Sequence, residues 1–179
     1  MYRMSMKKIS FVLLTILCSI LISCGIEPIQ ESSAIQERSF EDWENNIKLN
    51  KDIFESDAHN AYVDIYVNKL AKEPYEKRLG VFPIGSEVYK PLYSDAKKSH
   101  LARVVIMIKM QKGYDSKNGD WWYGVTDASG KELWYKGRIQ HCIDCHALAK
   151  ETDYMFSESV MEEIEIQKGL REPEVYLID

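Results

Sequence analysis

The chain has 179 residues, 23 basic and 28 acidic side chains and a net charge of −5, with a pI of about 5.5. That acidic balance excludes the broad positive footprint that nucleic acid or an anionic lipid surface would need, so no nucleic-acid partner is expected. Four cysteines could still be read several ways, and where each one falls along the chain decides between them.

The N-terminal stretch MYRMSMKKISFVLLTILCSILISCG places Arg3, Lys7 and Lys8 ahead of an uncharged apolar run from Ile9 to Ile22. This is the pattern of a bacterial secretory signal, and the apolar run is too short to cross a bilayer comfortably. Leu21-Ile22-Ser23-Cys24 resembles the lipobox of bacterial lipoproteins. That resemblance implies cleavage after Ser23, lipidation of Cys24 and an exported chain held at a membrane, facing the periplasm or the cell exterior. Removing residues 1–23 takes away three bases and no acids, moving the net charge from −5 to −8. Cys18 leaves with the signal and Cys24 is used by lipid, so Cys142 and Cys145 alone remain. From Cys24 to about Ser39 the sequence is polar, with Pro28 and a serine pair and no sustained apolar period, and it reads as a tether. Residues 40–179 hold all four tryptophans and fit one domain.

Within that domain the patterning predicts an α+β fold. The stretch AHNAYVDIYVNKLAKE fits both periods in its first half, and its second half is expected to be helical. In FPIGSEVYKPLY, Val88, Lys90 and Leu92 alternate with Tyr89, Pro91 and Tyr93, which predicts a strand with Lys90 on the face of Val88 and Leu92. Either face can be the inner one. Because an unpaired buried ammonium is costly, spacing alone favours a solvated Lys90. RVVIMIKM, residues 103–110, is continuously apolar and predicts a strand covered on both sides. DWWYGVTDASGKELWYKG predicts a hairpin turning at Asp127–Gly130. SESVMEEIEIQKGL predicts a last helix, capped by Ser157 or Ser159 and stopped at Gly169.

After the hairpin comes HCIDCH, residues 141–146, a C-x-x-C-H motif. Zinc would need four converging ligands, but the neighbours His141 and Cys142, like Cys145 and His146, point apart, and no second ligand pair is found elsewhere. A thioredoxin-type disulfide would need a strand-to-helix junction in a βαβ pattern, and the hairpin does not supply one. Covalent haem accounts for all three residues. Cys142 and Cys145 each form a thioether, and His146 ligates iron. One haem c per chain is therefore expected, with His141 at the surface or behind the ligands. Of the methionines available to ligate the other side, Met107, Met110 and Met155, none has a privileged claim.

Five short elements in order carry a resemblance to a family: Ala58-His59-Asn60-Ala61-Tyr62-Val63-Asp64, Phe82-Pro83-x-Gly85-Ser86 with Lys90, Gly119-Asp120-Trp121, the haem motif, and Asp153-Tyr154-Met155-Phe156. Together they resemble the cytochrome P-460 family over residues 55–160. The resemblance implies an antiparallel sheet with accompanying helices around one covalent haem, a five-coordinate iron with an open distal site, and in many members a homodimer. It also implies that Lys90 matches the lysine that bonds to the macrocycle in members that oxidise hydroxylamine, which turns the expectation for Lys90 inward. The related cytochromes c′-beta lack that bond and bind nitric oxide or carbon monoxide. The resemblance thus implies a small neutral nitrogen ligand or substrate and, for oxidation, a soluble electron acceptor. This chain departs from the pattern at Pro91, where a glutamate commonly follows the lysine, and in extra residues between His59 and Phe82. A six-coordinate electron carrier is the remaining alternative.

Overall fold

The structure is a computed structural model and describes residue 35 and residues 38–173. The lipobox, Cys24 and nearly all of the tether lie outside the described residues. Among the described residues one antiparallel sheet of eight strands carries the fold, with three α-helices, so the chain is α+β. The strands are β1 (Ile47–Lys48), β2 (Phe54–Ser56), β3 (Ala61–Val63), β4 (Tyr66–Val67), β5 (Glu87–Tyr93), β6 (Leu101–Lys109), β7 (Trp121–Thr126) and β8 (Leu133–Gly137). The helices are α1 (Lys69–Glu76), α2 (Gln140–His146) and α3 (Ser157–Gln167). The main path runs β1-β4-β5-β6-β7-β8, with β3 also pairing β5 and carrying β2 outside it.

Period-two alternation gives this sheet two apolar faces. The front buries Val63, Val67, Val88, Leu92, Met107, Trp121 and Tyr123, against which α1 and α3 pack. The back buries Tyr89, Val104, Ile106, Ile108 and Trp122 beneath the incoming segment of Phe40 and Trp43. Phe40 stacks on Trp122 with centroids 5.7 Å apart, and Trp43 meets Tyr66 edge-on at 5.2 Å. Trp121 and Trp122 are fully buried on opposite faces, and each contributes about 3 kcal/mol of apolar burial. The predicted both-sides coverage of residues 103–110 is thus found in β6.

β3 and β4 pair with the two halves of β5, Tyr62 and Val63 with Tyr93 and Leu92, Tyr66 and Val67 with Tyr89 and Val88. Between them the chain breaks at Asp64-Ile65, which leaves Lys90 and Pro91 paired on the β6 side alone. A proline is tolerated there because no ladder bond is asked of its missing N–H. The break is pinned by Asp64, fully buried, which accepts from Asn50 at 2.9 Å and pairs with Lys48 at 2.9 Å and with Lys98. Burial alone would raise the Asp64 pKa, but Lys98, Lys48 and Asn50 hold it below the ordinary carboxylate range.

Two local expectations differ from the structure. Tyr66 and Val67, within the stretch expected to be helical, form β4, and the helix begins at Lys69 behind an Asn68 cap whose Oδ1 accepts from the Ala71 N–H at 3.0 Å. Helix α3 starts behind Phe156 with no side-chain cap. Ser157 is its first residue, and its hydroxyl is buried without a partner among the described residues. Gly169 does end the helix in left-handed geometry, at φ +68°.

Candidate functional site

The front face of the sheet floors a cavity of about 690 Å³, within the ~300–1,000 Å³ range of cofactor and ligand sites. Its walls are α2, α3 and the β2–β3 hairpin at residues 54–60. Cys142, Cys145, His146 and Lys90 all line it. In α2, Cys142, Cys145 and His146 stand at i, i+3 and i+4, which helical geometry puts on one face. Both thiols are free and half-buried. Burial, reinforced by Cys145, raises the Cys142 thiol above its usual value. His141 lies exposed at the rim.

His146 is the most constrained group in the site. Its Nδ1 lies 2.7 Å from the Tyr154 carbonyl oxygen, and an oxygen with no hydrogen can only accept, so Nδ1 carries the proton and Nε2 keeps its lone pair. Tyr123 and Phe156 pack around the ring at 5.6 and 5.3 Å. Burial moves the imidazole pKa down to about 4, against the opposing effect of the Tyr154 carbonyl, with Lys90 adding to the fall. A neutral ring is the form that ligates metal.

The segment after the motif exists to hold that carbonyl in place. Asp153 and Tyr154 both adopt left-handed backbone, at φ 54° and 64°, a strained arrangement that persists only where surroundings over-determine it. The Asp153 carboxylate takes two bonds from Lys109 Nζ, at 2.5 and 2.7 Å, and one from the Phe82 N–H at 2.9 Å. Its carbonyl accepts from Trp121 Nε1 at 2.8 Å. The Tyr154 hydroxyl donates to the Lys117 carbonyl at 2.8 Å. Thus the Phe82 turn, Trp121 and the Asp153–Tyr154 pair, three elements far apart in sequence, meet in one scaffold behind His146. Gly119 belongs to it too. It sits at φ +74°, and a Cβ there would run into the Tyr154 ring. Gly119→Ala should therefore lower stability by about 2 kcal/mol or more, read as a shifted urea midpoint. An unchanged midpoint would show that Tyr154 is free to move.

Lys90 projects from β5 into the cavity and has no carboxylate partner among the described residues. It is half-buried and borders that void. Burial by the surrounding protein pushes its pKa down to about 8, with a small upward effect from Cys145. Tyr123, beside it on the cavity floor, has a buried hydroxyl with no partner among the described residues. Met107 and Met155 line the cavity while Met110 faces the back core. Among the described residues no three His, Cys, Asp or Glu side chains gather into a metal site, so His141, Cys142, Cys145 and His146 do not converge as zinc would require.

The family profile described as cytochrome P-460 matches residues 39–157. The chain belongs to the cytochrome P-460 family. A search of curated proteins finds no match. A cytochrome P-460 is a c-type haem protein, and the residues present fit that group. Two free thiols and a bare imidazole nitrogen border a cavity of cofactor size, with an unpartnered phenol and an amine in its lining. His59, which sequence reasoning quoted in a motif but gave no role, also lines the cavity of this cytochrome P-460. Arg103 does the same and was read as part of a strand alone. The period-two pattern would have put Arg103 on the face of Val105 and Met107. No linear signal brings His59 to that face.

Proposed function

We propose that this cytochrome P-460 is an exported monohaem protein that binds or oxidises small nitrogen compounds such as hydroxylamine or nitric oxide. In this reading Cys142 and Cys145 would hold one haem c covalently, His146 Nε2 would ligate its iron and the Lys90 nitrogen would bond to the ring. When bound, haem would supply a redox-active iron able to take a small ligand besides the imidazole. The observation that carries the reading is the Nδ1 bond to the Tyr154 carbonyl, which leaves Nε2 as a lone pair beside both thiols.

The chain's own residues support an open second position. Met155 follows directly on the residue whose carbonyl holds His146, and Met107 pairs across the sheet with Tyr123, which packs on His146. Both methionines therefore stand at the His146 end, which weighs against a methionine-ligated electron carrier. The apolar floor of Val88, Val105 and Val125 favours the second reading, a gas-binding protein without oxidation, should Lys90 not bond to the ring. The reduced optical spectrum of purified protein, with its intact mass, tests these readings together. A methionine-ligated six-coordinate spectrum would defeat both.

Membrane attachment through Cys24, a soluble electron acceptor and a homodimer complete the proposal. The lipobox-like Leu-Ile-Ser-Cys supports the first. Cys24→Ser should release a soluble domain or leave unprocessed precursor in cell fractionation. Wild-type protein found wholly soluble and unacylated would remove the anchor.

A further inference from the structure

The cavity has two unlike ends, and sheet register distinguishes them. Three rows of side chains cross the front face of the sheet here: Val88, Met107 and Tyr123, then Lys90, Val105 and Val125, then Leu92 and Arg103, and all but the core residue Leu92 line the cavity. Successive rows are two residues, about 7 Å, apart along the strands. Tyr123 in the first row packs on His146, so the third row stands about 14 Å away along the strands, at the opposite end. There β3 joins the sheet, with Val63 beside Leu92 and Tyr62 beside Tyr93. The 3-10 turn Asp57–His59 immediately before β3 therefore closes the same end. Both His59 and Arg103 line the cavity.

His59 is held rather than loosely exposed. Asn60 adopts left-handed geometry, at φ 47° and ψ 51°, and its N–H donates to the Asp57 carbonyl at 3.0 Å, closing the turn. His59 Nδ1 lies 3.2 Å from Ser56 Oγ, and Nε2 has no protein partner among the described residues. Burial first, then the charge of Lys90, with His146, Arg103 and His141 in the same sense, keeps the imidazole pKa down at about 3. The ring is thus uncharged at neutral pH. Arg103 is exposed at the mouth and supplies a cation there.

We propose that His59, with Arg103 at the same end, selects the ligand: the imidazole hydrogen-bonds the oxygen of a nitrogen–oxygen compound lodged in the cavity, favouring hydroxylamine and nitrite over carbon monoxide. The inference rests on the haem-binding reading above and adds a specificity that reading does not contain. A weak acceptor such as carbon monoxide leaves the buried polar group poorly paired, and sites built to hydrogen-bond discriminate against ligands that cannot reciprocate. The Arg103 charge adds attraction for nitrite over a neutral ligand.

Optical titration of the haem-loaded full chain tests the proposal, with hydroxylamine and nitrite on the oxidised protein and carbon monoxide on the reduced one. His59→Leu should weaken hydroxylamine and nitrite about ten-fold while leaving carbon monoxide within about two-fold, the loss expected for one hydrogen bond. His59→Gln, which keeps a polar group, should retain most of the preference and serves if the leucine variant fails to fold. Arg103→Met, at an exposed position, should weaken nitrite several-fold more than hydroxylamine. An unchanged preference in His59→Leu overturns the proposal, as does, where that variant does not fold, an Arg103→Met variant that keeps the wild-type ratio of nitrite to hydroxylamine affinity. So does a low-spin six-coordinate wild type that turns high-spin in either His59 variant, since His59 would then be an iron ligand. Haem-loaded wild type that binds neither nitrogen compound defeats the functional reading itself. Binding with unaltered selectivity in the variants defeats this inference alone.

Discussion

Cys142→Ala combined with Cys145→Ala should leave protein almost free of haem, at a few per cent of wild-type content, and destabilised by about 3–5 kcal/mol. The thiols line the cavity together with His146 and Lys90, and without thioethers only the imidazole and, in the proposed enzyme, the Lys90 bond would hold the group. The stability loss follows from the fold. Val88, Met107, Tyr123 and Val160 face a void of about 690 Å³, and a group that fills it stabilises the native state alone. Pyridine haemochrome content and a denaturant melt measure the two effects. Haem that extracts from the wild type into acidified organic solvent, after production with cytochrome c maturation, would show that attachment is not covalent.

Lys90→Ala should change the colour of the protein. In the proposed enzyme the Lys90 nitrogen bonded to the macrocycle alters its conjugation and planarity, so reduced wild type should show a strongly red-shifted Soret band. The alanine variant should return to an ordinary haem c spectrum and lose hydroxylamine oxidation by orders of magnitude while still binding nitric oxide. The position supports this: Lys90 lies in the row next to Tyr123, lines the cavity and has a pKa lowered to about 8, which makes its free amine more available than that of a surface lysine. An ordinary spectrum in wild type, with a mass of polypeptide plus haem and no further bond, would move the function to gas binding.

Much of this site was legible in the sequence because its pieces are local. C-x-x-C-H is a helical i, i+3, i+4 pattern, and period two places Lys90 with Val88 and Leu92 however the sheet is oriented. What periodicity could not say was which face would be covered by α2 and α3, since both faces of β5 and β6 are apolar. The resemblance to a family turned the expectation for Lys90 inward, and Lys90 does line the cavity. His59 was missed for a different reason. Its approach to Lys90 depends on β3 pairing with β5 across about thirty residues, and a three-residue strand such as β3 is too short to show a period. Tyr66 and Val67 went astray in the same way, because two strand residues directly before a helix share its apolar pattern. The support behind His146 was visible only as a motif. That Asp153 is clamped by Lys109 and the Phe82 N–H is a tertiary fact with no signature in either segment.

The incoming chain is clasped on the back of the sheet, with Arg38 forked onto Glu87 at 2.6 and 2.8 Å, Tyr89 donating to the same carboxylate, and the Phe40 N–H bound to the Gly130 carbonyl. None of these residues touches the front-face cavity. A pull on the chain ahead of Arg38 is therefore borne by Glu87, Trp122 and the hairpin turn, and it runs through the sheet's hydrogen-bond ladder before it reaches α2. Were the chain held through Cys24 as proposed, the domain would hang from the face opposite its cavity, and sway in the tether would not loosen the grip on His146.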